Sequence, residues 1–251
     1  SMSVGSCAAR CARAVGDVGE ARCRAVAKLS NAGIPVEAVQ TDVTERSQIT
    51  ALADAAEARF GAVHFLHNNA GVTTAGLAEE QTREQWDWVL QVNLLGVIAG
   101  CYEFLPRMKS HGEPAHILNT ASMAGLMALP GAAPYNATKH AVVAISESLY
   151  LELGSTGSPV GVSVLCPGFV KTDLMQHEPD EVASPIGALI GEMLTSGVET
   201  GIPAIGVADQ VVAAVDAEQF WILTHEEMRA RPVERMERAA SQTNPPLLGH
   251  E

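Results

Sequence analysis

The chain has 251 residues, 47% of them apolar and 18% charged. That suits one compact domain with a sizeable core, or at most two small ones, and excludes a disordered tail or a fibre. Its 29 acidic against 16 basic residues give a formal net charge of −13, the wrong sign for neutralising nucleic-acid phosphates or an anionic membrane surface. Neither partner is expected. Five cysteines, Cys7, Cys11, Cys23, Cys101 and Cys166, together with an opening that lacks a signal-peptide pattern, point to a reduced, cytoplasmic protein. Cys7 and Cys11 have no second pair or nearby histidine, so they read as helix neighbours and no metal site is expected. No run reaches the ~18 to 20 apolar residues of a membrane span.

In chain order, short β-branched runs alternate with longer amphipathic ones, the pattern of an α/β domain built on a parallel sheet. Ala14 to Asp17 reads as a strand, Glu20 to Ala32 as a helix stopped by Gly33, and Val36 to Thr41 as the next strand. A helix over Gln48 to Phe60 precedes an apolar strand, Val63 to His67, which ends in Asn68-Asn69-Ala70-Gly71. A long helical pattern runs from Thr82 to Lys109, then a strand from His116 to Thr120, a helix from Tyr135 to Leu153, and a strand from Val160 to Cys166 that stops at Pro167-Gly168. Residues 171–206 are broken by Pro179, Pro185, Gly197 and Pro203 and read as an insertion or lid on the substrate side. A short helix at Val207 to Val215, a strand at Phe220 to Thr224 and a charged helix at Glu226 to Ala240 follow. Residues 241–251 are expected to be a poorly ordered tail. Nothing separates a second domain, so residues 1–251 are read as one.

Ligands of such sheets sit beyond the carboxyl ends of the strands, which draws attention to Asp17, Asp42, Asn68 to Gly71, Ser122 and Pro167-Gly168. The most informative group is Ser122 with Tyr135 and Lys139. Four residues apart on a helix, the phenol and ammonium share one face. A phenol, with a reference pKa of about 10, becomes a more useful base beside an ammonium that favours phenolate. It can then exchange a proton with a substrate oxygen, while a serine hydroxyl from a strand end holds that oxygen.

These residues resemble the short-chain dehydrogenase/reductase family. Its Asn-Asn-Ala-Gly appears at Asn68 to Gly71, its Asn-x-x-Gly at Asn93 to Gly96, its serine at Ser122, its Tyr-x-x-x-Lys at Tyr135 and Lys139, and its Pro-Gly-x-x-x-Thr at Pro167 to Thr172. Five matches in the family's order cover residues 68–172. The resemblance implies a Rossmann-like doubly wound parallel sheet and NAD(H)-dependent interconversion of a secondary alcohol and a ketone. Tyr135 would be the general acid/base. Lys139 would lower its pKa and bind the nicotinamide ribose, Ser122 would hold the substrate oxygen, and Asn93 would anchor a water linking Lys139 to solvent. Asn68, Ala70 and Gly71 would pack on the adenosine side. Pro167, Gly168, Val170 and Thr172 would hold the nicotinamide. Asp42 and Val43 resemble the adenine contact, although Asp-x-Thr is equally good turn chemistry. Likewise, Asn93 has an alternative use in satisfying backbone groups at a helix kink, and Thr172 as a helix cap. Asp17 stands where the family bonds the adenosine ribose, and its charge would repel a 2′-phosphate, favouring NAD over NADP.

The front departs from the pattern. Only sixteen residues precede Asp17, and no glycine-rich pyrophosphate turn can be written through Gly5 and Gly16. The N-terminal strand-turn-helix is therefore truncated or atypical: the chain begins late, its first residues come from an altered reading frame or cloning remnant, or Met2 to Gly5 forms a stub. Because an unfilled central slot would strand backbone groups, Ser1 to Cys7 are expected to pair between the strands ending at Asp17 and His67. The alternative function is a catalytically silent binding or interaction module. Met123, Leu126, Met127, Leu129, Leu174 and Met175 suggest an apolar alcohol or ketone as substrate. The long helices suggest a homodimer or homotetramer.

Overall fold

The computed structural model describes residues 13–17, 26–27, 29–175 and 184–247. The Ser1 to Cys7 pairing, Cys7, Cys11, Cys23 and the first part of the Glu20 to Ala32 helix lie outside these residues. The strands are β1 (Arg13–Asp17), β2 (Val36–Gln40), β3 (Phe65–Asn68), β4 (Ala115–Thr120), β5 (Val160–Leu165), β6 (Val170–Lys171), β7 (Ile202–Pro203) and β8 (Trp221–Ile222). The helices are α1 (Arg46–Phe60), α2 (Arg83–Leu90), α3 (Gly96–Ser110), α4 (Ala133–Ser155), α5 (Pro185–Thr200), α6 (Ala204–Asp216) and α7 (Ala230–Ala240).

Among the described residues every strand pairing is parallel. The order β3-β4-β5-β8 forms the main sheet, while β1 pairs with β2 and β6 with β7. Among the described residues no ladder joins β1 to β3. The β1-β2 pair is instead carried by α1, which packs on both strands and on α3. Arg107 of α3 reinforces that contact, reaching Asp54 and Glu57 of α1 at 2.8 and 2.7 Å and Glu103 of its own helix at 2.6 Å.

Strand periodicity sorts the core into two layers. Ile117 of β4 and Val160, Val162 and Val164 of β5 pack with Val97, Cys101, Phe104 and Met108 of α3 and Val142 of α4. Leu118 and Leu165, one residue out of phase, pack with Val207 and Ala214 of α6 on the other face. Each long helix thus covers a defined face and leaves the carboxyl edge of the sheet open.

The expected Thr82 to Lys109 helix is interrupted. Thr82 caps α2 through a reciprocal box with Gln85, and a π-helical turn, Gln91–Leu95, then joins α2 to α3. The run Arg83–Ser110 holds an 18-residue window of mean hydropathy 1.4 and is long and apolar enough to cross a membrane by length and composition, contrary to expectation. In this fold the run contributes Val89, Val97, Cys101, Phe104 and Met108 to the buried interior. Within residues 171–206, Pro179 lies outside the described residues, and Ser184 caps a 16-residue helix in which Pro185 stands in the first turn. There its missing N–H costs nothing, so this proline starts a helix and does not break one.

Candidate active site

The carboxyl end of β4 supplies the first wall. Ser122 leaves the strand with an extended backbone and caps a short 3₁₀ turn, Met123–Gly125, its hydroxyl oxygen accepting from the Ala124 N–H at 3.1 Å. The same hydroxyl lies 3.4 Å from the Pro167 carbonyl, which also accepts from the Met123 N–H at 2.9 Å. The strand ends of β4 and β5 are therefore fastened together at Ser122.

Helix α4 supplies the second wall. Tyr135 stands in its first turn and Lys139 one turn later, so their shared face is a consequence of helix pitch. The Lys139 ammonium donates to the Thr120 carbonyl at 2.8 Å and stands 5.5 Å from the centre of the Tyr135 ring. A methyl group at Gly125 would lie 2.6 Å from the Lys139 carbonyl oxygen. Only glycine lets the turn bearing Ser122 sit this close to α4.

Burial dominates the electrostatics. It raises the Tyr135 pKa, an effect partly offset by a hydrogen bond from Ser122 and increased by the Cys166 thiol. Burial also pulls the Lys139 ammonium down to about 8, with Cys166 opposing. Burial, and not the ammonium four residues away, sets the direction of the phenol's shift. Removing both groups from water disfavours both charges.

Asn93 is fully buried in the π-helical turn. Its carboxamide accepts from the Val72 N–H and donates to the Val72 carbonyl, both at 2.8 Å, and donates to Thr138 at 3.3 Å. The Thr138 hydroxyl in turn donates to the Tyr135 carbonyl at 2.8 Å. Asn93 therefore ties the Gly71-Val72 backbone to α4. Asn68 spends its amide elsewhere: it donates to Asn119 at 2.9 Å, and Asn119 donates to Ser146 at 3.0 Å, a polar chain inside the core.

One cleft runs along the carboxyl edge from Gly16 and Asp42 past Ala70 and Gly71 to Ser122 and Tyr135. Val43, Asn68, Lys139, Pro167, Gly168, Val170 and Thr172 also line it. Asp42 uses one carboxylate oxygen on Thr44, accepting from its N–H at 2.9 Å and its hydroxyl at 2.7 Å, which is turn chemistry. Asp17 is the last residue of β1, opposite Gln40. The Thr172 hydroxyl lies 3.4 Å from the Val170 carbonyl. Sequence reasoning overlooked His225, which holds the Gly168-Phe169 backbone. A Thr-His pair just past the last strand, at the ligand-binding edge, was the available signal.

At the opposite edge His64, His111 and Glu113 bring ligand-type atoms within 4.8 Å of one another. His111 commits both ring nitrogens, donating to the Val63 carbonyl and accepting from the Glu113 N–H, each at 3.1 Å. The group therefore lacks a free third ligand.

Residues 6–183 match the family model described as short chain dehydrogenase. A "CLA biosynthesis dehydrogenase/reductase" from Lactiplantibacillus plantarum is 32% identical over 224 residues, covering 85% of this chain and 78% of that protein. A "1-deoxy-11-beta-hydroxypentalenate dehydrogenase" from Streptomyces exfoliatus is 35% identical over 215 residues, covering 85% and 73%. Among solved structures, a short-chain dehydrogenase/reductase from Burkholderia phymatum in complex with NAD is 40% identical, covers 93% of this chain and 88% of that one, and superposes with a TM-score of 0.89.

Proposed function

The chain belongs to the short-chain dehydrogenase/reductase family, nicotinamide-dependent oxidoreductases, and on that premise we propose that it interconverts an apolar secondary alcohol and a ketone with NAD(H). The observation that carries this reading is that Ser122, Tyr135 and a buried Lys139 line one cleft, with the Lys139 ammonium fixed on the Thr120 carbonyl. When bound, the dinucleotide accepts or delivers the hydride. Tyr135 moves the proton at the substrate oxygen, and Ser122 orients that oxygen. The Lys139 ammonium has three donors and spends one on Thr120. The other two suit ribose hydroxyls. With those bonds made, the ammonium is held charged and favours phenolate.

Pro167, Gly168, Val170 and Thr172 would meet the nicotinamide, and Ala70, Gly71, Asp42 and Val43 the adenosine half. The buried bonds of Asn68 and Asn93 support positioning roles for both. Asp17 argues for NAD over NADP through like-charge repulsion, in line with the NAD complex of the Burkholderia relative. Leu129, Leu174, Met175, Leu194, Val198 and Met228 give the substrate end an apolar lining, and the segment 171–206 acts as its lid. Small apolar hydroxy compounds are consistent with the hydroxypentalenate dehydrogenase relative. Exposed Leu95, Ile98 and Tyr102 with Tyr150 and Leu151 of α4 suit pairing in a homodimer or homotetramer. Free Cys101 and Cys166 suit the cytoplasm.

The test is NADH fluorescence titration followed by turnover on a panel of apolar ketones. Binding with oxidation of NADH supports the reading. Binding without turnover favours a silent module, and no binding refutes the cofactor assignment. A kcat/KM for NADPH equal to or above that for NADH would remove Asp17 from the ribose site.

A further inference from the structure

The Pro167 to Phe169 turn is clamped from both sides. On one side the Pro167 carbonyl accepts from Met123 at 2.9 Å. On the other stands His225, only 8% exposed, just beyond β8. The Gly168 N–H donates to His225 Nδ1 at 3.0 Å, and His225 Nε2–H donates to the Phe169 carbonyl at 3.1 Å. Thr224 Oγ1 also lies 2.8 Å from Nδ1. A ring whose Nδ1 accepts and whose Nε2 donates is a neutral imidazole in a single tautomer.

The Phe169 carbonyl accepts a second bond, from the Ile202 N–H at 3.0 Å. His225 thereby touches the turn where the lid strands begin. The fit is close: a methyl group at Gly168 would lie 2.9 Å from two His225 ring carbons and 2.7 Å from the Met228 sulfur. The imidazole bridges the Pro167-Gly168 and Phe169-Val170 peptide groups, on either side of the Gly168-Phe169 peptide, so it fixes the orientation of both planes as well as their position. A residue that only filled space would leave those planes free to rotate.

We propose that His225 is a positioning residue for cofactor binding, which sets the backbone of the Pro167 to Phe169 turn against the cleft through its two ring nitrogens. It touches neither substrate nor the reacting atoms. The proposal rests on the reading that this turn faces the nicotinamide. Asparagine at 225 keeps an acceptor near the Nδ1 position and supplies the Gly168 bond alone, whereas alanine supplies neither.

Amide exchange and NADH titration on His225→Ala and His225→Asn test this with the whole chain. Without cofactor, exchange at Gly168 should be faster in the alanine variant and close to the parent in the asparagine variant. NADH Kd and KM should rise about tenfold in H225A, the scale of one or two lost hydrogen bonds. H225N should recover part of that loss, and kcat should fall by a smaller factor than KM rises. Unchanged Gly168 exchange in H225A overturns the clamp. Faster exchange with an unchanged NADH Kd, or equal losses in both variants, overturns the positioning role. If NADH fails to protect residues 167–172 in the parent protein, the nicotinamide reading fails first and takes the positioning role with it. The apo exchange result identifies that case, because it tests the clamp without cofactor.

Discussion

Replacing Lys139 by methionine keeps an unbranched chain of similar length and removes a buried charge. Lys139 is 2% exposed, and burial lowers its pKa from 10.5 to about 8. Below pH 8 the ammonium is charged in both folded and unfolded states, and the folded state bears the whole cost of desolvation. Between pH 8 and 10.5 only the unfolded state keeps the proton, so stability climbs as pH rises. The shift to about 8 corresponds to roughly 3 kcal/mol of destabilisation at pH 7 and roughly 1 kcal/mol at pH 9.5. Losing the bond to the Thr120 carbonyl returns about 1 to 2 kcal/mol. The methionine variant is therefore expected to be about 1 to 2 kcal/mol more stable than the parent at pH 7. Its advantage should shrink by about 2 kcal/mol at pH 9.5. Urea denaturation of both proteins at the two pH values measures this, and turnover should be lost in the variant. A methionine variant less stable at pH 7, or a difference that does not change with pH, would refute the account of a buried ammonium held at a cost for its chemistry.

Tyr135→Phe should lower kcat by at least about 100-fold, the scale of one proton-transfer group, with the urea midpoint nearly unchanged because Ser122 keeps its Pro167 and Ala124 contacts. Retained activity would remove the phenol from the mechanism. Gly125→Ala forces a methyl group against the Lys139 carbonyl. It should cost about 1 to 3 kcal/mol of stability and at least tenfold in kcat, as Ser122 and Tyr135 are pushed apart. Activity equal to the parent's would show that their spacing is loose. Arg107→Ala should cost about 1 to 2 kcal/mol, with less of a deficit in 1 M salt, since the cluster is partly exposed. A loss insensitive to salt would assign the effect to packing.

Periodicity made most elements legible because each is covered on a defined face. β4 and β5 alternate between two packed layers, and their observed limits lie within a residue or so of those read from the pattern. The carboxyl-edge residues were legible for the same reason: Ser122, Tyr135 and Lys139 sit where strand and helix geometry must bring them together. What escaped depends on contacts between distant segments. The π-helical turn at Asn93 follows from a side chain that bonds Val72, 21 positions away, and no local signal marks it. Pro185 was read as a breaker although Ser184 before it is a capping residue and marks a first-turn proline. The direction of the Tyr135 shift depends on burial, which spacing alone does not reveal. The Ser1 to Cys7 pairing lies outside the described residues.

The two-residue ladder between Val170–Lys171 and Ile202–Pro203 closes the base of the chain segment between them like a drawstring. Its ends are tied to each other, and the segment also leans on the body of the domain: Gly197 packs on the Phe169 ring and Ile190 on Gly131. A change of side chain at either contact is therefore felt beside Pro167 and at the turn that leads into α4. Doubling a flexible loop's length costs only about 0.6 kcal/mol in closure entropy. Length is therefore cheap to change there, whereas the side chains that meet Phe169 and Gly131 are not.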